Sequence, residues 1–324
     1  VPGMRPRPLL RAGLFLYDHL SQRRSLGGSR SIDLGNVGFG HPLTGNLRHG
    51  FSYWDCWVDD ARLVVLNARD AADRGATVLT GTFCEHARRG ATHWQATLRG
   101  PDGQRRELRA RALVNAAGPW AASFLQQQAG QVGRRGLRLI KGSHIVVPRL
   151  FDHPMAYIFQ NTDQRIVFAI PYEQDFTLIG TTDVEVHGDP GAVLVDDAEI
   201  QYLCKLSNRY FRRVIGPQDV VWRFSGVRPL LDDESGDPSA VTRDYALEFD
   251  TKGAALLTVW GGKLTTYRKL AEDALGTLAP ALDCRAPAWT YRAPLTGGDL
   301  AARLGAAAAR RPDEAFSAFE REVL

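Results

Sequence analysis

The sequence feature that most constrains the fold is an apolar segment that runs into two adjacent glycines and then a helical pattern, between Ala255 and Glu272. The apolar part is rich in β-branched and aromatic residues, which is typical of a buried strand. After Gly261 and Gly262, apolar side chains recur at helical spacing as far as Pro280. Such a turn lets the backbone approach a ligand and points the N–H groups of the helix start at it. An ordinary strand-to-helix connection of an α/β fold has the same pattern, so this stretch alone leaves both interpretations open.

Composition and charge exclude several classes of protein. The chain has 324 residues, of which 44% are hydrophobic and 23% charged, as in a globular protein large enough for two domains. The formal net charge of +4 does not predict a nucleic-acid partner, but it suits an anionic substrate or membrane surface. The four cysteines form no CxxC pair, which favours a reducing compartment and predicts no metal site. No apolar run is long enough to span a bilayer.

The start of the chain predicts a short amphipathic helix. The stretch from Leu9 to Leu20 is apolar, but charged residues interrupt it and no small-residue cleavage site follows, which argues against a signal peptide. We expect the face that carries Leu10, Leu14 and Leu20 to pack on the rest of the protein. Attachment to a membrane surface is the alternative.

The first part of the chain alternates helices and strands. A helix capped by Asp59 or Asp60 is predicted to run to about Arg74, and a strand is predicted at residues 76–80. A β-hairpin follows, and then a buried strand at residues 112–116 that runs into a small-residue turn and another helix.

From residue 137 to 250 the pattern changes to short β-rich runs separated by turn residues, as in an antiparallel meander. A helical pattern at residues 199–215 interrupts these runs. The chain then returns to the strand, glycine turn and helix described above, and its composition after Pro294 indicates further helix. This order predicts a mixed fold, α/β with an α+β character, in which a β-rich segment is inserted into a nucleotide-type fold.

Several ordered sequence blocks carry a resemblance to a known family. They are Asp55–Leu63, Val114–Trp120, Arg138–Pro148, Ile179–Asp183, Ser225–Leu230, Thr242–Tyr245 and Gly261–Arg268. With these blocks the chain resembles the FAD-dependent sn-glycerol-3-phosphate dehydrogenases of the aerobic, respiratory type. The resemblance implies an incomplete FAD-binding Rossmann-like domain with an inserted antiparallel-sheet substrate domain.

The resemblance and the element order together predict five segments. They are a helical and loop segment on the substrate side (1–48), part of the FAD-binding domain (49–128), the β-rich substrate domain (129–250), a return to the FAD-binding domain (251–296) and the start of a C-terminal helical domain (297–324).

The chain departs from the family pattern at both ends. No GxGxxG motif, which holds the FAD pyrophosphate in the family, precedes Arg62, and the glycines at 35–40 are surrounded by loop composition. The family's helical C-terminal domain is cut short. We therefore expect an internal fragment that binds FAD weakly and is inactive by itself.

The resemblance implies the oxidation of sn-glycerol 3-phosphate to dihydroxyacetone phosphate, with a hydride passing from C2 to the flavin N5 and electrons passing on to quinone. Arg228 and Arg243 are expected to bind the phosphate, because guanidinium makes bidentate, always-charged contacts. The alternative for Arg228 is a structural ion pair with the acidic residues at 232–234. His144 is the expected base, because imidazole titrates near neutral pH, and a hydrogen-bonded core histidine is its alternative.

Lys263 is expected to act in catalysis and substrate binding together with Arg228. The resemblance implies that Lys263 and the N–H groups of the helix start face the flavin N1/O2 edge, where reduction places negative charge. It also implies contacts from a second strand end to the ribose or pyrophosphate. The expected cofactor-binding residues are Ala117, Gly118, Gly261, Gly262, Lys263, Leu264, Thr265 and Thr266.

The resemblance further implies a cytoplasmic protein in peripheral contact with the inner face of the cytoplasmic membrane, and it leaves a homodimer open. The segment Thr181–Asp183 is interpreted as a β-turn before any role in substrate contact. Three other functions stay open at this point. One is a glycerol-3-phosphate oxidase that uses O₂, another is an amine or amino-acid oxidase with a carboxylate clamp, and the last is a non-catalytic chain that binds a partner.

Overall fold

The computed structural model describes residues 5–20, 27–163, 165–232 and 244–299, so that Arg243 and nearly all of the predicted segment 297–324 lie outside the described residues. The helices are α1 (Arg7–His19), α2 (Asp60–Asp73), α3 (Ala121–Ser123), α4 (Asp197–Tyr210) and α5 (Tyr267–Leu282). The strands are β1 (Arg30–Asp33), β2 (His49–Ser52), β3 (Phe83–Arg89), β4 (Trp94–Arg99), β5 (Arg105–Ala110), β6 (Ala112–Asn115), β7 (Leu137–Pro148), β8 (Tyr157–Gln160), β9 (Ile166–Tyr172), β10 (Phe176–Gly180), β11 (Val184–Glu185), β12 (Trp222–Leu231), β13 (Tyr245–Asp250) and β14 (Ala255–Gly261).

The described residues divide into two compact units. Unit one takes those within 1–56, 118–120 and 135–244, and unit two takes those within 57–117, 121–134 and 245–324. The β-rich part predicted between 129 and 250 therefore differs at its end, because β13 belongs to unit two. The antiparallel partner of β13 is β14, to which residues 251–254 connect it directly.

The core of unit one lies between an antiparallel sheet and helix α4. Strands β11, β7, β10, β9 and β8 are neighbours in that order, and β12 pairs with β7 along its whole length. Side chains of β7 such as Ile145 and Val147 are buried in one cluster with Ile200 and Leu203 of α4. Full burial of such a side chain stabilises the folded protein by about 1.5–3 kcal/mol relative to leaving it exposed. The predicted antiparallel sheet is therefore confirmed.

Unit two contains the strand, glycine turn and helix from which the sequence analysis started. Residues 255–260 of β14 are buried, and the strand pairs antiparallel with β13 and parallel with β6. Leu257 of β14 packs with Ala274 and Leu278 of α5. The predicted strand and helix are confirmed, although α5 continues past Pro280 and ends at Asp283, whose φ is +54°.

Two local predictions in unit two need correction. The strand predicted at residues 76–80 is wrong, because this segment is irregular and no strand among the described residues pairs with it. Val78 and Leu79 accordingly stay more than 40% exposed. The strand predicted at 112–116 is present as β6, but it is only partly buried, since Val114 is 46% exposed.

Helix α1 forms as predicted, but it does not pack as predicted. None of its residues is buried, and Leu20, next to its end, is 80% exposed. The hydrogen bonds that join α1 to other parts of unit one come from polar side chains: Arg11 and Asp18 bond Ser29, and the Tyr17 hydroxyl donates to the Trp54 carbonyl. Leu10 and Leu14 are half-buried, so the predicted leucine face is covered only in part, and polar contacts supply the hydrogen bonds that hold this helix.

Candidate functional site

The sheet of unit one has two chemically different sides, because successive side chains of a strand point to opposite sides. On β7, Ile145 and Val147 point toward α4, whereas positions 142 and 144 point the other way. The register places Gly180 and Phe224 on either side of His144, and Gly226 beside Gly142. We call this second side the open face and define it by Gly142, His144, Gly180, Phe224, Gly226 and Arg228.

Arg228 lies on the open face and is held by the connection between β10 and β11. Its Nη1 is 2.5 Å from Asp183 Oδ1, and its Nη2 donates to Thr181 Oγ1 at 3.0 Å. A Cβ built on Gly142 would lie 2.5 Å from Nη2, so the guanidinium rests directly over this glycine. One third of the Arg228 side chain is exposed, so the residue is not closed off from a ligand.

The ion pair of Arg228 differs from the alternative that the sequence suggested. The expected acidic partners were residues 232–234, of which 233 and 234 lie outside the described residues. The observed partner, Asp183, is 45 positions away in sequence. It reaches Arg228 because β10 and β11 pair with one edge of β7 while β12 pairs with the other.

His144 is a neutral imidazole on the open face. Burial, and then the positive charge of Arg228, lower its pKa to about 4. Its ring stacks on Phe224 with centroids 5.0 Å apart, and it covers Gly180 so closely that a Cβ there would overlap the ring. The buried Nδ1 has no hydrogen-bond partner among the described residues. His144 is therefore not the hydrogen-bonded core histidine that was the alternative. With a pKa of about 4, its ring is unprotonated at neutral pH.

Three glycines form the floor of the open face, and sequence reasoning did not select them for this role. Gly142 and Gly180 are covered by the side chains of Arg228 and His144, whereas no atom lies within 4 Å of a Cβ built on Gly226. A ligand can therefore approach the backbone at Gly226. Gly142 and Gly226 stand opposite each other on β7 and β12. This pairing could have revealed the floor, but it is visible only in the strand register and not in the sequence.

In unit two, the end of β14 presents the turn that the sequence predicted. Gly261 and Gly262 have φ values of +70° and +107°, which only glycine adopts without strain. A short 3₁₀ helix, Leu264–Thr266, leads into α5. Lys263 is exposed and its ammonium group has no ion-pair or hydrogen-bond partner within the described part of the chain.

One of the expected N–H donors at this turn is already used. The Thr266 N–H donates to the Lys263 carbonyl at 3.1 Å, so it is not free to contact a cofactor as predicted. The N–H groups of Leu264 and Thr265 have no acceptor among the described residues. Two backbone donors and one ammonium group therefore remain for an anionic ligand.

The second strand end predicted to contact a cofactor lies beside the first. β6 and β14 are parallel, with Asn115 opposite Thr258, so their carboxyl ends meet at one edge of the sheet. Asn115 is buried and shapes the turn, because its Nδ2 donates to the Ala121 carbonyl and its Oδ1 accepts the Ala117 N–H at 3.3 Å. The Ala117 N–H is therefore also used internally. Gly118 has a φ of +54°.

No group of three or more histidine, cysteine or acidic side chains that could hold a metal ion occurs in the described part of the chain. Among the described helices, none is both long and apolar enough to cross a membrane.

Comparisons with known proteins agree with these observations. The family model of FAD-dependent oxidoreductases matches residues 16–268, which is more than half of the chain. A glycerol-3-phosphate dehydrogenase of Pseudomonas aeruginosa is 52% identical over 300 residues, which cover 92% of this chain and 58% of that relative. A D-erythritol 1-phosphate dehydrogenase of Brucella abortus is 48% identical over 302 residues, with 93% and 60% covered. The chain thus spans about three fifths of the length of these relatives.

A solved structure shows the same fold. The glycerol-3-phosphate dehydrogenase of Bacillus halodurans, in complex with FAD, superimposes with a TM-score of 0.66 and 28% sequence identity. The superposition covers 80% of this chain and 50% of that protein.

Proposed function

The chain belongs to the FAD-dependent oxidoreductase family, and we propose that it carries the substrate-binding face of an enzyme that oxidises sn-glycerol 3-phosphate to dihydroxyacetone phosphate. The observation that carries this proposal is the open face of unit one. There the partly exposed side chain of Arg228 and a neutral imidazole share a floor of glycines. A phosphate ester with a neighbouring hydroxyl requires this pair of an anion clamp and a proton acceptor.

Arg228 binds the phosphate in this proposal. Its guanidinium is oriented by Asp183 and Thr181, and charge-assisted contacts from such a group to phosphate are short and strong. Arg243, which lies outside the described residues, is proposed as a second phosphate ligand. Both assignments rest on residue chemistry and on the family resemblance.

His144 accepts the proton of the C2 hydroxyl. The free imidazole is a weak base, because burial and the charge of Arg228 lower its pKa to about 4. A dianionic phosphate bound at Arg228 offsets the positive charge, so the imidazole becomes a stronger base once substrate is present. Proton acceptance is thereby favoured in the substrate complex over the free protein.

The residues at the ends of β6 and β14 fit the family's cofactor. FAD, when bound, accepts the hydride that leaves C2. Lys263 and the unused N–H groups of Leu264 and Thr265 supply positive charge and donors for its anionic groups, and Gly261 and Gly262 leave the backbone uncovered. Gly118, Ala117 and Thr266 are proposed as further contacts, the last two through atoms other than their N–H groups.

Quinone is the proposed electron acceptor, at the inner face of the cytoplasmic membrane. Helix α1 supports peripheral contact, since Leu9, Phe15 and Leu16 are more than half exposed beside the basic Arg7. Flotation of the protein with anionic vesicles, compared with Leu16→Glu, tests this contact. A homodimer is proposed as the assembly, to be measured by sedimentation.

A second substrate has specific support. The Brucella abortus relative, named for D-erythritol 1-phosphate, is nearly as similar to this chain as the Pseudomonas aeruginosa glycerol-3-phosphate dehydrogenase. Both substrates carry a phosphate ester and a secondary hydroxyl, so the clamp and base described above suit either. The two differ in chain length, which the open floor at Gly226 does not restrict.

The deciding experiment is anaerobic reduction of FAD-loaded protein in which a GxGxxG segment precedes this chain, because the chain by itself is expected to bind FAD weakly. Reduction is measured as the loss of visible flavin absorbance. We expect reduction by sn-glycerol 3-phosphate and none by glycerol, because glycerol lacks the phosphate that Arg228 binds. Erythritol phosphate is the matched second substrate, and reoxidation by a quinone analogue is compared with reoxidation by O₂. Reduction by amines or amino acids, with none by either phosphate ester, would overturn the proposal.

A further inference from the structure

Glu199 is a buried carboxylate on the side of the unit-one sheet opposite the open face, and only 6% of the residue is exposed. Its Oε2 lies 2.8 Å from Lys141 Nζ and accepts the Asp196 N–H at 3.2 Å. Its Oε1 accepts hydrogen bonds from Ser143 Oγ at 2.8 Å and from Thr182 Oγ1 at 2.7 Å. Burial by itself raises the pKa of Glu199, but these donors outweigh burial and hold the pKa below its ordinary value. The group is therefore an ionised acceptor at neutral pH.

The hydroxyl groups around Glu199 come from three different segments of the chain. Ser143 lies in β7, Thr182 lies in the connection from β10 to β11, and Ser225 lies in β12. Because Ser143 gives its hydroxyl proton to Glu199, its Oγ accepts a hydrogen bond from Ser225 Oγ at 2.8 Å, and its N–H donates to Thr182 Oγ1 at 2.9 Å. Each of these residues is flanked in sequence by residues of the open face or by the partners of Arg228. Holding the three hydroxyls in place therefore also holds their neighbours on the other side of the sheet.

Thr182 is the link between this network and the anion clamp. It lies between Thr181 and Asp183, the two residues that hold the guanidinium of Arg228. The segment 181–183 has no strand partner among the described residues, in contrast to β10 and β11 on either side of it. The hydrogen bonds of Thr182 with Glu199 and Ser143 anchor it to the sheet from the side of α4, together with one from Arg165 Nη2 to the Asp183 carbonyl at 3.3 Å.

We propose that Glu199 is a positioning residue of the anion site: by accepting from Ser143 and Thr182, it holds the segment 181–183 and thereby places the Arg228 guanidinium over Gly142. The effect on substrate binding rests on the proposed function, whereas the placement of the segment does not. Lys141 balances the buried charge, because its side chain is only 9% exposed and its ammonium bonds Glu199 and the Leu194 carbonyl, with Asp196 Oδ2 at 3.6 Å. Removal of one partner alone leaves an uncompensated buried charge, so the two residues are best replaced together.

Two paired variants separate the acceptor of Glu199 from its charge. Lys141→Met with Glu199→Gln keeps an Oε1 acceptor and removes both charges, whereas Lys141→Met with Glu199→Leu removes the acceptor as well. Thr182→Val, which deletes one hydroxyl and keeps the shape, is the second route if the leucine pair does not fold. Asp175→Asn is the control, because Asp175 pairs with Arg149 at the opposite end of β10 and touches none of this network.

The first measurement is hydrogen exchange of the Ser143 amide and of peptides spanning residues 178–186, which requires neither substrate nor cofactor. The second is the affinity for inorganic phosphate by calorimetry. The third is KM against kcat for glycerol 3-phosphate, measured on FAD-loaded protein in which a GxGxxG segment precedes this chain. All are made at a temperature at which each variant is folded, as judged by circular dichroism.

We expect the glutamine pair and the Asp175→Asn control to match the unsubstituted protein in hydrogen exchange, phosphate affinity and KM. In the leucine pair and in Thr182→Val, exchange should be faster, and the dissociation constant for phosphate and KM should rise about 10- to 100-fold, as for a misplaced binding group. Unchanged exchange in folded protein lacking the acceptor would overturn the proposal. So would equal phosphate affinity of the leucine and glutamine pairs. If the unsubstituted protein binds neither phosphate nor glycerol 3-phosphate, the proposed function fails, and the exchange data still decide whether Glu199 holds the segment.

Discussion

Replacement of Arg228 by alanine tests the proposed phosphate clamp most directly. The guanidinium is held at 2.5 Å by Asp183 and at 3.0 Å by Thr181, and one third of the side chain is exposed. A hydrogen bond between such a charged group and a phosphate contributes about 1.5–3 kcal/mol. Since about 1.4 kcal/mol corresponds to a factor of ten, KM for glycerol 3-phosphate should rise roughly 10- to 140-fold. Asp183, left without its cation, repels the phosphate and moves the result toward the upper end.

The matched control is Arg223→Ala. Arg223 lies on the same strand, β12, but points to the opposite side, is more than half exposed and pairs with Asp197 at 3.8 Å. Exposed ion pairs of this kind contribute little to stability, and Arg223 lies outside the open face. KM should therefore change by no more than about twofold. Arg228→Lys keeps the charge but loses the two-nitrogen fork, and an intermediate KM is expected.

The assay is steady-state dye reduction over a range of pH by FAD-loaded protein in which a GxGxxG segment precedes this chain. Arg228→Ala has a second signature, because the positive charge of Arg228 is one of the two causes that lower the pKa of His144 to about 4. Without that charge the pKa rises, while burial still keeps it below 6.5, so the acidic limb of kcat/KM moves to higher pH. A KM as unchanged as that of Arg223→Ala, in folded protein, would refute the clamp.

Four further predictions concern other residues. The pKa of His144 is about 4 in the folded protein and 6.5 in the unfolded chain, so the unfolded chain binds the proton first as the pH is lowered. The free energy of unfolding should therefore fall as the pH is lowered from 6.5 to about 4. Tm measured over this range should fall less in His144→Phe than in the unsubstituted protein. Gly226→Ala should raise KM without lowering Tm, because its Cβ meets only open space above the proposed site; an unchanged KM would remove Gly226 from that floor. Gly133→Ala should lower the free energy of unfolding by about 1–3 kcal/mol in denaturant titration, because its Cβ would lie 2.7 Å from the Trp260 ring. The exposed helical Gly276→Ala should instead stabilise by about 0.5–1 kcal/mol, and a loss of stability there would contradict the reasoning.

Much of the local structure could be predicted from the sequence because it depends on neighbouring residues. The apolar period identified β14 and α5, the Asp59 cap identified the start of α2, and the β-rich runs identified the antiparallel sheet. The prediction failed where burial depends on a distant partner. The segment 76–80 has strand composition but no pairing strand among the described residues, and α1 has a leucine face but is held by polar contacts.

The candidate site was predicted unevenly for the same reason. Arg228 and His144 were selected by residue type and by family resemblance, and the structure brings both to one side of the unit-one sheet. Neither Asp183 as the partner of Arg228 nor Glu199 beneath it could be found this way. Their contacts join residues 45 and 56 positions apart, which a local pattern does not contain.

The sequence by itself determined the family, the order of strands and helices, and which charged side chains are available to bind an anion. The tertiary structure alone decided which of these groups meet. Strand alternation is a local property and assigns each residue to one side of its strand. Which residues of neighbouring strands then lie next to each other on that side depends on the register between β7, β10 and β12. That register places the Glu199 carboxylate beneath β7 and the connection from β10 to β11, and the Arg228 guanidinium above Gly142.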